Sequence, residues 1–290
     1  MKKLIIDCDN TFGVDGCDLD DGLAIIYSLG TERCELLGVT TTFGNNTLEV
    51  VTPNTIEFME KIGMEGIKVE AGHSDDPHKN EAALFLVDAV NNFPTEISLL
   101  AIGSLTNLYH AWILDPYFFE KVDELSFMGG ITEALIIEGK QLDELNFSCN
   151  NTAAFHVLKE AKSINVATGN TCLNALFSKE RFDKLSQSEY TFLRWLYEQG
   201  QYWFHRENEV FGHGGIYKWD VYAAAALLYP ELFNKNVVEI SPDLNSLKTG
   251  MLLGGGNRRT VNVPVVKDKK AYEEHVYEIY SIFANRRQMA

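Results

Sequence analysis

The acidic stretch Asp7-Cys8-Asp9-Asn10-Thr11-Phe12-Gly13-Val14-Asp15-Gly16-Cys17-Asp18-Leu19-Asp20-Asp21 follows the apolar run Leu4-Ile5-Ile6 near the start of the chain. A short aliphatic run that opens onto carboxylates predicts a buried strand whose carboxyl end delivers acidic groups to a crevice, where open α/β sheets place their ligands. Six Asp within these fifteen residues repel one another unless a cation lies among them. The stretch therefore predicts a site for Ca²⁺ or Mg²⁺, and the alternative is a solvated acidic loop.

Strand-like segments alternate with segments of helical periodicity along the chain. Strands are predicted at residues 4–6, 34–43, 97–103, 124–128, 164–167 and 261–266, and most of them end in Gly, Asn or Thr. Helices are predicted between them, including the aromatic-rich residues 190–204 and a last helix at residues 271–283. This alternation predicts an α/β fold with an open, mainly parallel, Rossmann-like sheet, with helices on both faces and the strand ends meeting at one site.

Composition narrows the class of protein. The chain has 290 residues, 46% of them hydrophobic, and no linker-like segment, so we expect one domain over residues 1–290. The formal net charge of −16 argues against a nucleic-acid or anionic-membrane partner. The opening apolar run is too short for a signal peptide and no apolar run approaches a membrane span, so a cytoplasmic location is expected. Five Cys without a C-x-x-C pair suit reduced thiols.

Six motifs in order along the chain resemble those of the inosine-uridine-preferring nucleoside hydrolases, the calcium-dependent N-ribohydrolases. They are Asp7-Cys8-Asp9 with Asp20-Asp21-Gly22-Leu23-Ala24, Gly38-Val39-Thr40-Thr41-Thr42-Phe43-Gly44-Asn45, Ile102-Gly103-Ser104-Leu105-Thr106-Asn107, Met128-Gly129-Gly130, Glu144-Leu145-Asn146 and Trp219-Asp220. The loop from Asp9 to Asp20 is longer than in the family pattern. Residues 10–19, which include Asp15 and Asp18, are therefore an insertion that we expect to lie near the pocket and to shape substrate access.

The resemblance implies a nucleoside hydrolase fold, a homodimer or homotetramer, and a role in purine and pyrimidine salvage. Its small-molecule substrate would be a ribonucleoside, cleaved at the N-glycosidic bond to ribose and free base. The implied Ca²⁺ ligands are Asp9, Asp21, Asp220 and the carbonyl of Ile102. The calcium-bound water would lose its proton to Asp9, the general base. Asp7 is expected to orient this group.

The resemblance also implies a ring of ribose contacts and a base-binding side. The substrate-binding residues that it predicts are Asp20, Asn45, Met128, Glu144, Asn146, Trp219 and His213. Trp219 stands where many family members have a His that protonates a departing purine, and an indole cannot take that role. Activation of the leaving group must come from another source, either a swing of His213 into the pocket or stacking of Trp219 on the base.

Other interpretations of the same residues stay open at this point. Asn45 and Asn146 are also typical turn residues, Glu144 a surface charge and Asp220 a helix N-cap. The opening Asp7-Cys8-Asp9-Asn10-Thr11 also resembles haloacid-dehalogenase-like phosphatases, in which Asp7 would be the nucleophile. A third possibility is a non-catalytic nucleoside- or sugar-binding relative, because the family His is missing.

Overall fold

The apolar run at the start of the chain forms a buried strand, as predicted. In the computed structural model, which describes residues 1–288, Lys2–Cys8 is a strand whose last five residues are buried. Leu4, Ile6 and Cys8 pack into one hydrophobic cluster and Ile5 into another. Because successive side chains of a strand point to opposite faces, this alternation means that both faces of the strand are covered.

The structure contains fourteen strands and twelve α-helices within residues 1–288. The strands are β1 (Lys2–Cys8), β2 (Cys34–Thr41), β3 (Lys68–Ala71), β4 (Ile97–Ala101), β5 (Val122–Met128), β6 (Leu135–Ile137), β7 (Lys140–Leu142), β8 (Ile164–Ala167), β9 (Leu176–Ser178), β10 (Gly215–Tyr217), β11 (Phe233–Asn234), β12 (Val237–Ile240), β13 (Arg259–Asn262) and β14 (Val265–Val266). The helices are α1 (Asp20–Gly30), α2 (Leu48–Lys61), α3 (Glu81–Asn92), α4 (Thr106–Leu114), α5 (Phe118–Lys121), α6 (Leu145–Ser148), α7 (Asn151–Glu160), α8 (Gly169–Cys172), α9 (Lys179–Ser186), α10 (Thr191–Val210), α11 (Trp219–Leu228) and α12 (Lys269–Gln288).

An eight-stranded sheet organises the molecule, in the order β12-β13-β8-β5-β4-β1-β2-β3. Neighbours are parallel except for the antiparallel pair β12 and β13 at one edge. The first strand pairs with β2 on one side and β4 on the other, which places the acidic stretch in the middle of the sheet. The predicted α/β class with a mainly parallel sheet is confirmed.

Helices cover both faces of this sheet. Helix α1 packs against α11 and α12 over one face, where the larger hydrophobic cluster lies. Helices α3, α4 and α7 pack together over the other face, around the second cluster. None of the helices within residues 1–288 combines the length and the apolar character needed to cross a bilayer.

The structure differs from the sequence-based prediction mainly at short elements. The predicted strand at residues 261–266 is divided into β13 and β14, because Pro264 has no N–H for a strand ladder. The hydroxyl of Tyr222 spans this break, since it donates to the Pro264 carbonyl at 2.9 Å and accepts from the Val266 N–H at 3.1 Å. The aromatic-rich helix α10 also continues to Val210, beyond the predicted end.

Candidate active site and metal centre

The carboxyl ends of several parallel strands open into one pocket of about 150 Å³. Its wall combines acidic and amide side chains with apolar ones and a single indole. The lining residues are Asp18, Asp20, Asn45, Ile102, Met128, Leu135, Leu142, Asp143, Glu144, Leu145, Asn146, Gly169, Trp219 and Asp220. A pocket at this edge is where open α/β sheets bind ligands. Of the predicted substrate-binding residues, all except His213 line it.

The carboxylate of Asp9 is fully buried just beyond β1, and only one of its two oxygens has a hydrogen-bond donor within residues 1–288. Its Oδ2 accepts a hydrogen bond from the Asn45 N–H at 2.5 Å. Its Oδ1 is buried and has no hydrogen-bond partner among residues 1–288. A Cβ at Gly44 or at Gly103 would collide with this carboxylate, so both glycines are needed for it to sit there. A buried acceptor without a donor calls for an explanation such as a bound cation.

Two helix N-termini bring further carboxylates to this edge of the sheet, of which Asp20 and Asp220 line the pocket. Asp20 and Asp21 form the first turn of α1, Asp220 lies in the first turn of α11, and all three are buried. The Asp220 N–H donates to Asp20 Oδ2 at 3.3 Å, which joins the two turns. The positive ends of the two helix dipoles partly offset this negative charge. The N-cap of α11 is Lys218 and makes no side-chain cap bond, so the structure gives Asp220 no N-cap role.

The insertion, expected near the pocket, contributes the carboxylate of Asp18 to the pocket wall. Asp18 lines the pocket, and ligand oxygens of Asp18, Asp20 and Asp21 all lie within 4.8 Å of one another. The side-chain amide of Asn45 donates to Asp18 Oδ1 at 3.0 Å and to Asp21 Oδ2 at 3.3 Å. Asn45 is therefore more than a turn residue, because its side chain bridges two carboxylates of the site.

Burial makes the charged forms of these acids unfavourable. Loss of solvation raises the pKa of Asp9 and of Asp20 to about 6, and it raises the pKa of Asp18, Asp21 and Asp220 well above the ordinary range. A group of this kind holds its charges together only with a counter-charge. The donors are all oxygen atoms, the preference of a hard divalent cation, so the residues present fit such a metal ion.

Asn146 links two strand ends in the pocket wall. Its Nδ2 donates to the Ile102 carbonyl at 3.0 Å and to the Met128 carbonyl at 3.1 Å. A carbonyl oxygen has two lone pairs, so Ile102 retains one for a further partner. Asn146 is 6% exposed and its amide links β4 to β5, which is a larger role than that of a local turn residue.

Glu144 is a buried acid at the start of α6. It is 4% exposed, so it is not a surface charge. Its carboxylate accepts from the Asn146 N–H at 2.7 Å and from the Phe147 N–H at 3.0 Å, as an N-cap. Burial nevertheless raises the pKa of Glu144 to about 7. The side chain lines the pocket as a fixed acceptor held by the backbone.

One aromatic ring, that of Trp219, lies in the pocket wall, and two further rings stack behind it. Trp219 is in the pocket wall, and its ring centroid is 5.2 Å from that of Tyr217. His213 lies behind Tyr217, with 4.7 Å between their stacked rings. Both ring nitrogens of His213 are buried and lack a partner among residues 1–288. The structure thus brings Trp219 to the pocket and leaves His213 outside the pocket wall, with the Tyr217 ring between His213 and Trp219.

Asp7 lies below the pocket. Its Oδ1 accepts from Thr40 Oγ1 at 2.6 Å and from Asn107 Nδ2 at 2.7 Å, and the residue is 1% exposed. Burial raises the pKa of Asp7 to about 7. The side chain of Asp7 is not in the pocket wall, and neither are those of Asp9 and Asp21, which lie just beneath it and are fully buried.

Sequence reasoning missed Glu207, a buried acid on α10. It is 8% exposed and makes no side-chain hydrogen bond within the described part of the chain. Burial, together with the negative charge of Asp20, raises its pKa to about 7. The signal was present in the sequence, since Glu207 follows Gly200 and Phe204 on the buried stripe of the helix.

Comparison with known proteins assigns the family. The family model described as inosine-uridine preferring nucleoside hydrolase matches residues 4–274. The chain belongs to this family. It is therefore an enzyme of the nucleoside N-ribohydrolase class, and the phosphatase alternative is not favoured.

Individual relatives agree with this assignment. The chain is 28% identical to a protein of Oryza sativa subsp. japonica named probable uridine nucleosidase 1, over 82% of this chain and 81% of that protein. It is 24% identical to the inosine-uridine preferring nucleoside hydrolase of Leishmania major, over 86% of each. The solved structure of a plant nucleoside hydrolase has the same fold, with a TM-score of 0.85 at 22% identity over 96% of this chain and 98% of that one.

Proposed function

We propose that this member of the nucleoside hydrolase family hydrolyses ribonucleosides to ribose and free base at the pocket above β1, with Ca²⁺ as its cofactor. The observation that carries the proposal is the buried Asp9 Oδ1 without a partner, on a carboxylate that is bonded to the pocket residue Asn45, in a pocket that also contains Asp18, Asp20, Asp220 and Trp219. N-glycosidic cleavage passes through an oxocarbenium-like sugar, so it requires a held ribose, a nucleophile on one side and a stabilised leaving base on the other.

The metal ligands in this proposal are Asp9, Asp21, Asp220 and the Ile102 carbonyl. They come from the ends of β1 and β4 and from the N-termini of α1 and α11, and all four residues are buried. When bound, Ca²⁺ supplies positive charge that anchors sugar hydroxyls and makes water more acidic. The identity of the ion as Ca²⁺ is part of the proposal.

Asp9 is the general base in this mechanism. The Asn45 N–H fixes one oxygen of its carboxylate, so the other, Oδ1, is left to take a proton from the attacking water. Proton transfer requires the carboxylate form, and burial raises the pKa of Asp9 to about 6. A cation bound to Asp9 would lower this pKa, so the carboxylate form of the base is available at neutral pH.

In this proposal the ribose is held by two carboxylates and two side-chain amides of the pocket wall. Asp20 and Glu144 offer carboxylate oxygens, Asn45 and Asn146 offer amide groups, and the strand end at Met128 closes the floor. When an analogue lacks a hydroxyl that such a buried polar site binds, the groups of the site remain without a hydrogen-bond partner. In favourable cases kcat/KM for the analogue is then lower by roughly four to five orders of magnitude. Ribosides are therefore preferred over deoxyribosides.

Trp219 is the residue that we assign to the leaving base. Its ring lies in the pocket wall beside Tyr217, where it can stack on a purine or pyrimidine. A role for His213 as a proton donor requires Tyr217 to move aside, because the Tyr217 ring separates the two.

The setting of this activity is also proposed. The chain acts as one domain over residues 1–290, as a homodimer or homotetramer, without a nucleic-acid or membrane partner, and it serves purine and pyrimidine salvage. Cytoplasmic location is supported by the five cysteines, all of which are free.

A reducing-sugar assay tests the proposal. Purified protein is incubated with purine, pyrimidine and nicotinamide ribosides, with and without a chelator, and then with Ca²⁺ added back. Ribose release that stops with chelator and returns with Ca²⁺ supports the proposal. Magnesium-dependent release of phosphate from p-nitrophenyl phosphate without ribose release would overturn it. Thermal stabilisation by ribosides without any turnover would instead identify a non-catalytic binder.

A further inference from the structure

We propose that Asp18, a residue of the insertion at residues 10–19, is an additional carboxylate ligand of the metal site, so that cation binding and the order of the insertion are linked. The inference rests on the proposed function, because it adds a ligand to that calcium site. It also gives the insertion a role beyond substrate access.

The Asp18 carboxylate lies close to two other carboxylates, those of Asp20 and Asp21. Its oxygen lies within 4.8 Å of oxygens from Asp20 and Asp21. The residue is partly exposed, and it lines the pocket. Carboxylate oxygens at this separation can share one cation with oxygen coordination, whereas without a cation they repel.

Asn45 hydrogen-bonds to several of these acids. Its one side-chain nitrogen donates to Asp18 Oδ1 and to Asp21 Oδ2, at 3.0 and 3.3 Å, while its backbone N–H donates to Asp9 Oδ2. A single residue therefore holds three carboxylates of the cluster. Each of these acids has further acceptor capacity that Asn45 does not use.

An independent observation points to a cation bound by the same hydrogen-bonded group of acids. Asp9 Oδ1 is completely buried and has no partner within residues 1–288. The Asp9 N–H donates to Asp21 Oδ1 at 3.1 Å, so the unpartnered oxygen belongs to the same hydrogen-bonded group as Asp18. Asp9 is thus connected to Asp18 through Asp21 and Asn45, and this group of acids has a buried oxygen that no protein donor satisfies within residues 1–288.

The insertion holds Asp18 in this position. Thr11 Oγ1 donates to the Asp18 carbonyl at 3.0 Å, which closes the loop on itself. The ring of Phe12 stacks on Trp195 of α10 with 5.5 Å between centroids, and the Arg206 guanidinium donates to the Gly16 carbonyl. Because α10 supports the loop from behind, the Asp18 side chain remains on the pocket side.

A fourth carboxylate changes what the metal site does. Asp9, Asp21 and Asp220 already supply three, and Asp18 would raise the ligand charge, which tunes the affinity of calcium sites. A cation bound by Asp18 also ties the insertion to α1, so the amides of residues 10–19 should exchange more slowly when it is present.

Calorimetric titration of metal-free full-length protein with Ca²⁺ tests this assignment. Asp18→Asn keeps the oxygen that accepts from Asn45 but removes the charge, and we expect Ca²⁺ to bind about tenfold more weakly or worse. Asp15→Asn is the matched control, since Asp15 is an exposed acid of the same loop, and its Kd should stay within about twofold. Asp18→Glu should recover part of the affinity.

Hydrogen exchange of residues 10–19 with and without Ca²⁺ gives a readout that is independent of activity. We expect calcium to slow this exchange in the wild type and in Asp15→Asn, and not in Asp18→Asn. Equal Ca²⁺ affinity and equal protection in Asp18→Asn and Asp15→Asn would overturn the assignment of Asp18 and leave the proposed function in place. A wild type that binds no Ca²⁺ would overturn both, whereas a loss of binding in Asp21→Asn supports the site itself.

Discussion

The two oxygens of the Asp9 carboxylate have different surroundings, and the proposed roles of Asp9 depend on this difference. One oxygen is fixed by the Asn45 N–H and the other has no protein partner in the described chain. Gly44 and Gly103 leave the space for the group, because a side chain at either position would overlap it. Because the Asn45 N–H fixes Oδ2, the side chain does not have to move for Oδ1 to contact a metal ion or to accept a proton.

Asp9→Asn should remove most of the turnover. The amide cannot accept the proton of the attacking water, and a positioned general base typically contributes about 10²–10⁴-fold in rate. The measurement is kcat for ribose release under saturating Ca²⁺, with Asp15→Asn as the control of equal charge change. Retention of more than about a tenth of wild-type kcat in Asp9→Asn would contradict the role of Asp9.

Trp219→Ala and His213→Ala separate the two sources of leaving-group activation. Loss of the Trp219 ring removes stacking worth about 0.5–1.5 kcal/mol beyond its buried area, so kcat/KM should fall by about tenfold or more. His213→Ala should change turnover on purine ribosides by less than about threefold, since Tyr217 lies between His213 and the pocket. A large loss of kcat in His213→Ala, with a changed alkaline limb of the pH profile, would restore the histidine as the acid.

Glu207→Gln should stabilise the protein at high pH and have little effect at low pH. Burial raises the pKa of Glu207 from 4.5 to about 7, so its ionisation destabilises the folded state as the pH rises through this window. After allowance for partial solvent access, the gain above pH 7 is about 1–2 kcal/mol. Urea unfolding of wild type and variant at pH 5 and pH 8 measures it, and an equal difference at both values would contradict the assignment.

The insertion and helix α10 form a unit at the scale of elements. The loop makes two turns at Gly13 and Gly16, whose φ angles of 85° and 83° favour glycine. Phe12 and the Gly16 carbonyl then contact α10, as described above, and Asp18 returns the chain to the pocket. Helix α10 therefore supports the loop that carries Asp18 to the pocket.

Replacement of residues 11–17 by a short glycine linker, with Asp18 kept, should alter substrate selectivity. The ratio of kcat/KM for a purine riboside to that for a pyrimidine riboside is expected to change by about fivefold or more, because the loop wall next to the pocket is lost. Arg206→Ala, which removes only the contact to Gly16, should give a smaller change in the same direction. Unchanged selectivity in the shortened enzyme would refute a role of the loop in substrate access.

At the scale of the whole molecule, the buried acids make folding depend on protons and on the metal. Burial raises the pKa of Glu144 from 4.5 to about 7 and that of Asp7 to about 7 as well, so the folded chain binds these protons more tightly than the unfolded one. The corresponding stability is present at low pH and is lost as the pH rises from about 4 to 7. Metal-free protein should therefore melt at a lower temperature at pH 8 than at pH 5.

Removal of Ca²⁺ should lower the melting temperature at neutral pH. A ligand at 100 times its Kd stabilises the folded state by about 2.7 kcal/mol, which corresponds to a shift of about 5 °C or more for a chain of this size. Differential scanning calorimetry at pH 7.5 with Ca²⁺ or with chelator measures the shift, and the Asp21→Asn variant is the control. A melting temperature that does not respond to Ca²⁺ in the wild type would argue against the metal site.

The sequence by itself was sufficient for the α/β class, the mainly parallel sheet and the family. These rest on local properties: strand and helix periods, apolar runs such as the one before Asp7, and the order of short motifs. The acidic residues in the first turns of α1 and α11 could be proposed for the site because parallel strands end at one edge of the sheet. The boundaries of short strands could not be predicted, since three residues carry too little periodicity.

Only the tertiary structure decided which of these residues meet. Asp18 lines the pocket and His213 stays behind Tyr217, although the sequence predicted a substrate contact for His213 and only a place near the pocket for the insertion that contains Asp18. Glu207 became an acid near Asp20 only when α10 packed over the insertion. The physical reason is that a loop residue's position depends on contacts with elements far along the chain, and its sequence neighbours do not encode those contacts.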